Sequence, residues 1–195
     1  MKIFLACIFL ALSLQSSAQD GICPLKIGDS IPNIQLQDLS GKYFNLNEMA
    51  QDKTIFVFFR GGWCPYCQRH LSALQEAKEE IAALGYKLIA ISPDRMSKLS
   101  KSIDKNELDY TLLSDAEAKA MSAFGLAFEL DEKTLERYKK YNISLESWSG
   151  QAHNMLPVPA IYIVNEGQVD FQYVNPNYKK RLSAEVLISI LKANN

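Results

Sequence analysis

Residues 54–70 constrain the fold more than any other stretch of the chain: Thr54-Ile55-Phe56-Val57-Phe58-Phe59-Arg60-Gly61-Gly62-Trp63-Cys64-Pro65-Tyr66-Cys67-Gln68-Arg69-His70. Ile55 to Phe59 is an unbroken apolar run of β-branched and aromatic residues, short for a helix and suited to a strand covered on both faces. Gly61-Gly62 breaks the run and lets the backbone turn. Pro65 fits a first helical position, where its missing N–H costs nothing. Leu71, Leu74, Ile81 and Leu84 then form an apolar stripe up to a stop at Gly85. Cys64 is thereby predicted at or just before a helix N-terminus, with Cys67 one turn on. Unpaired N–H groups and the positive end of the helix dipole favour an anion there, in this case the thiolate, which is the reactive form of cysteine.

A Cys-x-x-Cys pair admits three chemistries. Half of a zinc site is the first, with His70 as a third ligand, but the chain has no second Cys-x-x-Cys and no His-x₃₋₅-His; Cys23 and His153 are the remaining candidates. A structural disulfide is the second, and so short a loop gains little from closure. A strand before the pair and a helix after it favour the third, redox chemistry at sulfur. No metal and no cofactor are expected.

The chain of 195 residues is 48% hydrophobic and 22% charged, enough for one domain with a sizeable core. Its net charge is −1 with acidic and basic residues interspersed, which leaves no electrostatic footprint for nucleic acid or anionic lipid. Met1–Ala18 reads as a secretory signal peptide: Lys2 supplies the charge, Ile3 to Leu14 the apolar segment, and Ser16-Ser17-Ala18 a small-residue cleavage site. The apolar segment falls short of the ~18 residues of a spanning helix, so no stable membrane span is expected. Leu5-Ala6-Cys7 faintly resembles a lipoprotein box, a minor alternative. The predicted organisation is a signal peptide (1–18), an N-terminal arm (19–25) and a single domain (26–195). An exported protein, acting in the periplasm or cell envelope or secreted, meets oxidising conditions, and a thiol that acts as a reductant there must be recharged by a partner, a thioredoxin-like or membrane-linked dithiol. Cys23 is either a packed or free thiol on a flexible arm or a third redox cysteine.

Elsewhere, Ile34 to Leu46 alternates around Ser40-Gly41 as a short hairpin, and Asn47 is a candidate cap for a brief helical turn. Tyr86–Ser92 is a strand parallel to 55–59 through a right-handed βαβ crossover. A lysine-rich outer helix runs from Pro93 towards Leu108. Tyr110–Leu113 is a strand, Ser114-Asp115 caps a helix from Ala116 to Phe124, and Asp131–Tyr141 is a charged helix followed by a polar loop to Asn154. Ala160–Val164 and Gln168–Tyr173 form a hairpin through Asn165-Glu166-Gly167. Ser183–Leu191 is a terminal helix that packs Val186, Leu187 and Ile190.

Trp63-Cys64-x-x-Cys67 after an apolar strand, with Leu156-Pro157-Val158-Pro159-Ala160 opening a late strand, resembles the thioredoxin superfamily. Ile27-Gly28-Asp29-x-Ile31-Pro32, Phe59–Cys67, Leu112-Leu113-Ser114-Asp115 with Ala123-Phe124-Gly125, and Val174-Asn175-Pro176-Asn177-Tyr178 resemble, more particularly, the peroxiredoxin-like branch of the alkyl hydroperoxide reductase and thiol-specific antioxidant family. The resemblance runs from about Lys26 to Leu191. It implies an α/β thioredoxin-like fold, a central mixed β-sheet flanked by helices with an N-terminal hairpin extension. It implies Cys64 as the attacking thiol, Cys67 as its resolving partner in a redox disulfide, Pro159 as a cis-proline against the two sulfurs with Val158 before it, and Trp63 as a shield. Ordinary peroxiredoxins carry a proline seven residues and a threonine or serine three residues before the attacking cysteine; Val57 and Gly61 stand there instead. The threonine hydroxyl helps bind the peroxide oxygens. Arg60 is the candidate to stabilise thiolate and peroxide charge in its place, with Arg69 and His70 weaker candidates on the surface. The expected activity is peroxide reduction through a Cys64/Cys67 dithiol–disulfide cycle. Thiol:disulfide exchange on protein or small-molecule disulfides is the alternative, and a non-enzymatic scaffold a third.

Overall fold

The structure, a computed structural model, describes residues 21–106 and 108–194; the predicted signal peptide, Met1–Ala18, lies outside the described residues. Strand β3 (Thr54–Phe58) is the central element, and the apolar run explains why. Its side chains alternate between two buried faces. Ile55, Val57 and the following Phe59 enter one core cluster, which also holds Cys64, Cys67, Leu71 and Leu74. Phe56 and Phe58 enter the other, with Met121, Phe124 and Tyr162. The ring of Phe124 lies 4.8 Å from that of Phe58 and 5.2 Å from that of Tyr162. Every residue of β3 is buried.

Around β3 the chain adds β1 (Gln35–Gln37), β2 (Tyr43–Asn45), α1 (Leu46–Met49), α2 (Pro65–Glu76), α3 (Lys78–Ala83), β4 (Lys87–Ser92), α4 (Met96–Asn106), β5 (Thr111–Ser114), α5 (Lys119–Ala123), β6 (Ala127–Glu129), α6 (Glu132–Lys140), α7 (Leu145–Ser149), β7 (Met155–Pro157), β8 (Ala160–Asn165), β9 (Gln168–Val174) and α8 (Ala184–Ala193). The main sheet has the order β2-β1-β5-β4-β3-β8-β9. β3 pairs parallel with β4 and β4 with β5, while β8 pairs antiparallel with β3 and with β9. The sheet is therefore mixed, and the β1/β2 hairpin extends its far edge through β5, as expected.

Several local expectations are corrected. The cap of α1 is Asn45, whose side chain accepts from the Asn47 N–H, because the chain turns two residues earlier than Asn47. The helix behind the cysteines is broken at Ala77 into α2 and α3. α5 begins only at Lys119, because the Asp115 carboxylate reaches forward to the N–H groups of Ala120 and Met121 and leaves Ala118 in a left-handed turn. The polar loop 142–154 contains α7, and β7 after it pairs with β6 in a small second sheet. On α8, Ala184, Leu187 and Leu191 are buried and Ile190 packs against the core as expected, whereas Val186 is 48% exposed. The Asn165–Gly167 turn is present, with positive φ at Glu166 and Gly167.

The segment around Cys23 is tied to the turn after α5 by backbone hydrogen bonds. Its backbone N–H donates to Gly125 O (3.0 Å) and that of Leu25 to Phe124 O (3.2 Å). Gly125 has φ +67, and a Cβ there would stand 1.8 Å from Cys23 O, so glycine is required for the close approach. Leu25 packs against the cluster on the opposite face of the sheet from Cys64 and Cys67. Cys23 itself is a free, exposed thiol.

A candidate dithiol active site

Cys64 is the N-cap residue of α2, with extended backbone, and Pro65 takes the first helical position. The turn before it depends on Gly61, whose φ of +140 is open to glycine alone. Both sulfurs are buried, Cys64 with 2% exposure, and both are free thiols. The Cys67 thiol donates to the Cys64 sulfur, and the Cys67 N–H, the Arg60 guanidinium and the Tyr66 N–H add to it; together they outweigh burial and pull the Cys64 pKa down to about 6. Burial, with the opposing Cys64 charge, holds the Cys67 thiol well above its ordinary value. At neutral pH the pair is one thiolate nucleophile with a thiol beside it.

Arg60 is 3% exposed and no carboxylate pairs with it among the described residues. It is held by aromatic faces: its guanidinium lies 4.2 Å from the ring centre of Tyr178, 5.2 Å from Trp63 and 5.8 Å from Tyr138. It also donates to the Tyr138 hydroxyl. Arg60, Trp63, Cys64, Tyr66, Tyr138 and Tyr178 line one open cleft of about 300 Å³. A larger depression of about 390 Å³ between Gln37, Arg95, Asp115 and Lys119 contains neither sulfur.

The structure thus brings Arg60 and Trp63 to Cys64, as expected, and corrects two other expectations. The Val158–Pro159 bond is trans, and neither residue lines the cleft. Trans is the preferred form, and it suits a chain passing from β7 to β8: the Val158 N–H donates to Leu126 O (2.8 Å) and Pro159 O accepts from the Asn175 N–H (3.2 Å). His70 is buried rather than on the surface; its Nε2 donates to Leu182 O (3.1 Å), and burial, with the nearby Arg181 charge, lowers its pKa to about 4. His153 is likewise engaged by backbone, at Ala116 O and the Met155 N–H. Arg69 is exposed and stacks on Tyr66 at 4.9 Å.

Three elements of the site escaped the sequence reading. Tyr138 arrives on α6, and Arg181 arrives on the loop before α8, with Nη2 3.5 Å from Cys67 Sγ. The third is Asp94, buried and pushed up to about 7 by burial, with Oδ2 accepting the Gly62 N–H at 2.7 Å. For Asp94 a signal existed: it follows β4, parallel neighbour of β3, and the carboxyl ends of adjacent parallel strands share one rim. Tyr138 and Arg181 carry no local signal.

The geometry yields a pH expectation. Chemistry at Cys64 requires the thiolate, whose fraction rises with pH through about 6. Removing the adjacent cation disfavours the thiolate, so Arg60→Met is expected to move the rising limb upward by roughly one unit, with Arg60→Lys close to the parent. The deficit in thiolate is then about fivefold at pH 6 and absent at pH 9; an unmoved limb, followed by ultraviolet thiolate absorbance, would remove Arg60 from this role.

Comparison with known proteins agrees with this architecture. The putative peroxiredoxin bcp of Haemophilus influenzae is 32% identical over 103 residues, which cover 53% of this chain and 66% of that one. Peroxiredoxin Bcp of Escherichia coli K12 is 31% identical over the same shares. Among solved structures, the peroxidoxin BcpB of Mycobacterium tuberculosis superposes with a TM-score of 0.68 at 18% identity, covering 88% of this chain and 99% of that one. Peroxiredoxin Q of Xanthomonas campestris superposes with a TM-score of 0.66 at 17% identity, over 87% and 96%. A match to the AhpC/TSA family spans residues 27–172, taking in both thiols and most of the sheet that holds them, and by that match the chain belongs to the AhpC/TSA family.

Proposed function

We propose that this protein is a thiol-dependent peroxidase working through Cys64 and Cys67. The observation that carries the reading is the place of Cys64 at the head of α2, its pKa drawn down to about 6, on an open cleft that a buried guanidinium and a hydroxyl also line. Cys64 S⁻ attacks one oxygen of the peroxide; the S–O bond forms as the O–O bond breaks, and the departing alkoxide or hydroxide takes up a proton. Arg60 and the Tyr138 hydroxyl are the donors available to the charge that develops on oxygen. Cys67 then condenses with the sulfenic acid to a disulfide and water, and an external dithiol, thioredoxin-like or membrane-linked, returns both thiols. Trp63 covers one side of the site. The signal-like residues 1–18 support export, and with it a periplasmic or cell-envelope reductant.

Disulfide exchange is the second reading. It is favoured by Gly61, which presents no hydroxyl at the position where the family resemblance implies one. Stopped-flow oxidation of the reduced protein by hydrogen peroxide, beside reduction of insulin disulfides, separates the two. A peroxide rate constant above ~10⁴ M⁻¹ s⁻¹, the lower edge of ordinary enzymes, is expected. Oxidation no faster than free cysteine, with rapid insulin reduction, would replace the peroxidase reading with the exchange reading.

A further inference from the structure

Cys64 and Cys67 are each accompanied by a guanidinium, and the two guanidiniums come from different parts of the chain. Arg60 acts on Cys64 from the end of β3, whereas Arg181 reaches Cys67 from the loop between β9 and α8. Arg181 is clamped: Nη1 donates to the carbonyls of Tyr178 and Lys180, which aims Nη2 at Cys67 Sγ, 3.5 Å away. It pairs with no carboxylate among the described residues. The groups acting on Cys67 are Cys64 at the head of α2, the backbone of Arg60 after β3 and the guanidinium of Arg181 before α8; His70, one turn further along α2, also feels Arg181 and is kept neutral chiefly by burial.

We propose that Arg181 drives closure of the Cys64–Cys67 disulfide by stabilising Cys67 as the attacking thiolate once Cys64 has been oxidised. The proposal rests on the assignment of Cys64 as nucleophile and Cys67 as resolver. In the reduced site three influences keep Cys67 protonated: burial, its hydrogen bond to the Cys64 thiolate, and the charge of that thiolate. Two of the three vanish when Cys64 becomes a neutral sulfenic acid or mixed disulfide, and Arg181 remains. Cys67 S⁻ then attacks Cys64 Sγ. The S–S bond forms as the S–O or exogenous S–S bond breaks. The proton given up by Cys67 ends on the departing hydroxide as water, or the external thiolate departs. Ordering of the two steps follows, because Cys67 is silenced until Cys64 has reacted.

An adjacent cation shifts a buried acid by about one to three units. Each unit costs tenfold in thiolate and returns about threefold in intrinsic nucleophilicity, so loss of Arg181 is expected to slow closure roughly tenfold. The test uses the full chain carrying Cys7→Ser and Cys23→Ser, which leaves Cys64 and Cys67 as its two thiols, mixed with the aromatic disulfide dithiobis(nitrobenzoate). Attack by Cys64 releases one coloured thiolate and closure by Cys67 releases the second, so the two steps read out separately and without peroxide. Failure of the peroxidase reading would therefore leave this test standing. In Arg181→Met the second phase is expected to fall about tenfold at neutral pH and its midpoint to move to higher pH, with the first phase changed by less than about threefold. Arg181→Gln should match Arg181→Met, supplying a second neutral variant, and Arg181→Lys should recover most of the closure rate. An unchanged second phase in the neutral variants, an equal slowing of both phases, or no recovery in Arg181→Lys would each overturn the proposal.

Discussion

Cys64→Ser is expected to abolish turnover of peroxides and disulfides alike while leaving the fold intact. The serine hydroxyl does not ionise near neutral pH, and its oxygen lacks the nucleophilicity of a thiolate towards O–O and S–S bonds. The Cys67, Cys67 N–H and Arg60 interactions that lower the Cys64 pKa have no anion to act on in this variant. Removing a nucleophile costs on the order of 10³-fold or more, and the whole of the covalent path where no alternative exists. Because Cys64 is 2% exposed and serine is nearly isosteric, stability should change by only ~1 kcal/mol. Cys67→Ser gives the complementary result, a single rapid oxidation of Cys64 and then arrest at the sulfenic acid, trapped by dimedone. Residual turnover in Cys64→Ser above the uncatalysed rate would mean that another group attacks, and normal cycling in Cys67→Ser would mean that another thiol resolves.

Gly61→Thr is expected to produce the largest loss of stability of any single change near the site, although it installs the residue type that the family resemblance implies at that position. Gly61 has φ +140, and a Cβ on it would stand 2.4 Å from Trp63 Nε1 and 2.7 Å from Asp94 Oδ1. Neither neighbour can withdraw cheaply. The Trp63 indole packs against Tyr138 and Arg60, and Asp94 is buried and holds the Gly62 N–H. Strained backbone costs about 1–3 kcal/mol, and overpacking about 1–3 kcal/mol more. A total of about 4 kcal/mol is a large part of the stability of an ordinary domain, about 5–15 kcal/mol. Urea unfolding of the reduced protein measures it. A loss under ~1 kcal/mol would show that the indole and carboxylate move aside, contrary to this packing. The place of a hydroxyl at this position is thus taken by Trp63 and Asp94, and the polar donors of the cleft come instead from Arg60 and Tyr138.

The part of the site legible in the sequence is the part that is local. An apolar run, two glycines, a cysteine and a proline are enough to place Cys64 at a helix N-terminus, because the strand period, the turn and the N1 proline all act within a few residues. The same locality serves the βαβ unit, the β8–β9 turn and the helices expected from Asp131 and Ser183, which the structure shows to be their N-caps. Expectations failed where a hydrogen bond reaches further along the chain than the neighbouring residues suggest. Asp115 delays α5, and β6 finds its partner β7 only across α6 and α7. Cys23 is laid down by a hydrogen bond to Gly125.

What the amino-acid order decides about this protein is therefore a mixed α/β fold with a reactive sulfur at the head of its second helix. Which charge serves which sulfur is decided by the tertiary structure. Arg60 stands beside Cys64 in the chain, but the aromatic faces that hold it come from Tyr138 and Tyr178, and the cation at Cys67 comes from Arg181. Nothing in the sequence around Tyr138 and Arg181 marks them, and the motif that ends in Tyr178 does not say that its ring meets Arg60. The three meet the sulfurs because α6 and the β9–α8 loop close over one rim of the sheet, and the strength of an electrostatic contact depends on distance and burial rather than on separation along the chain.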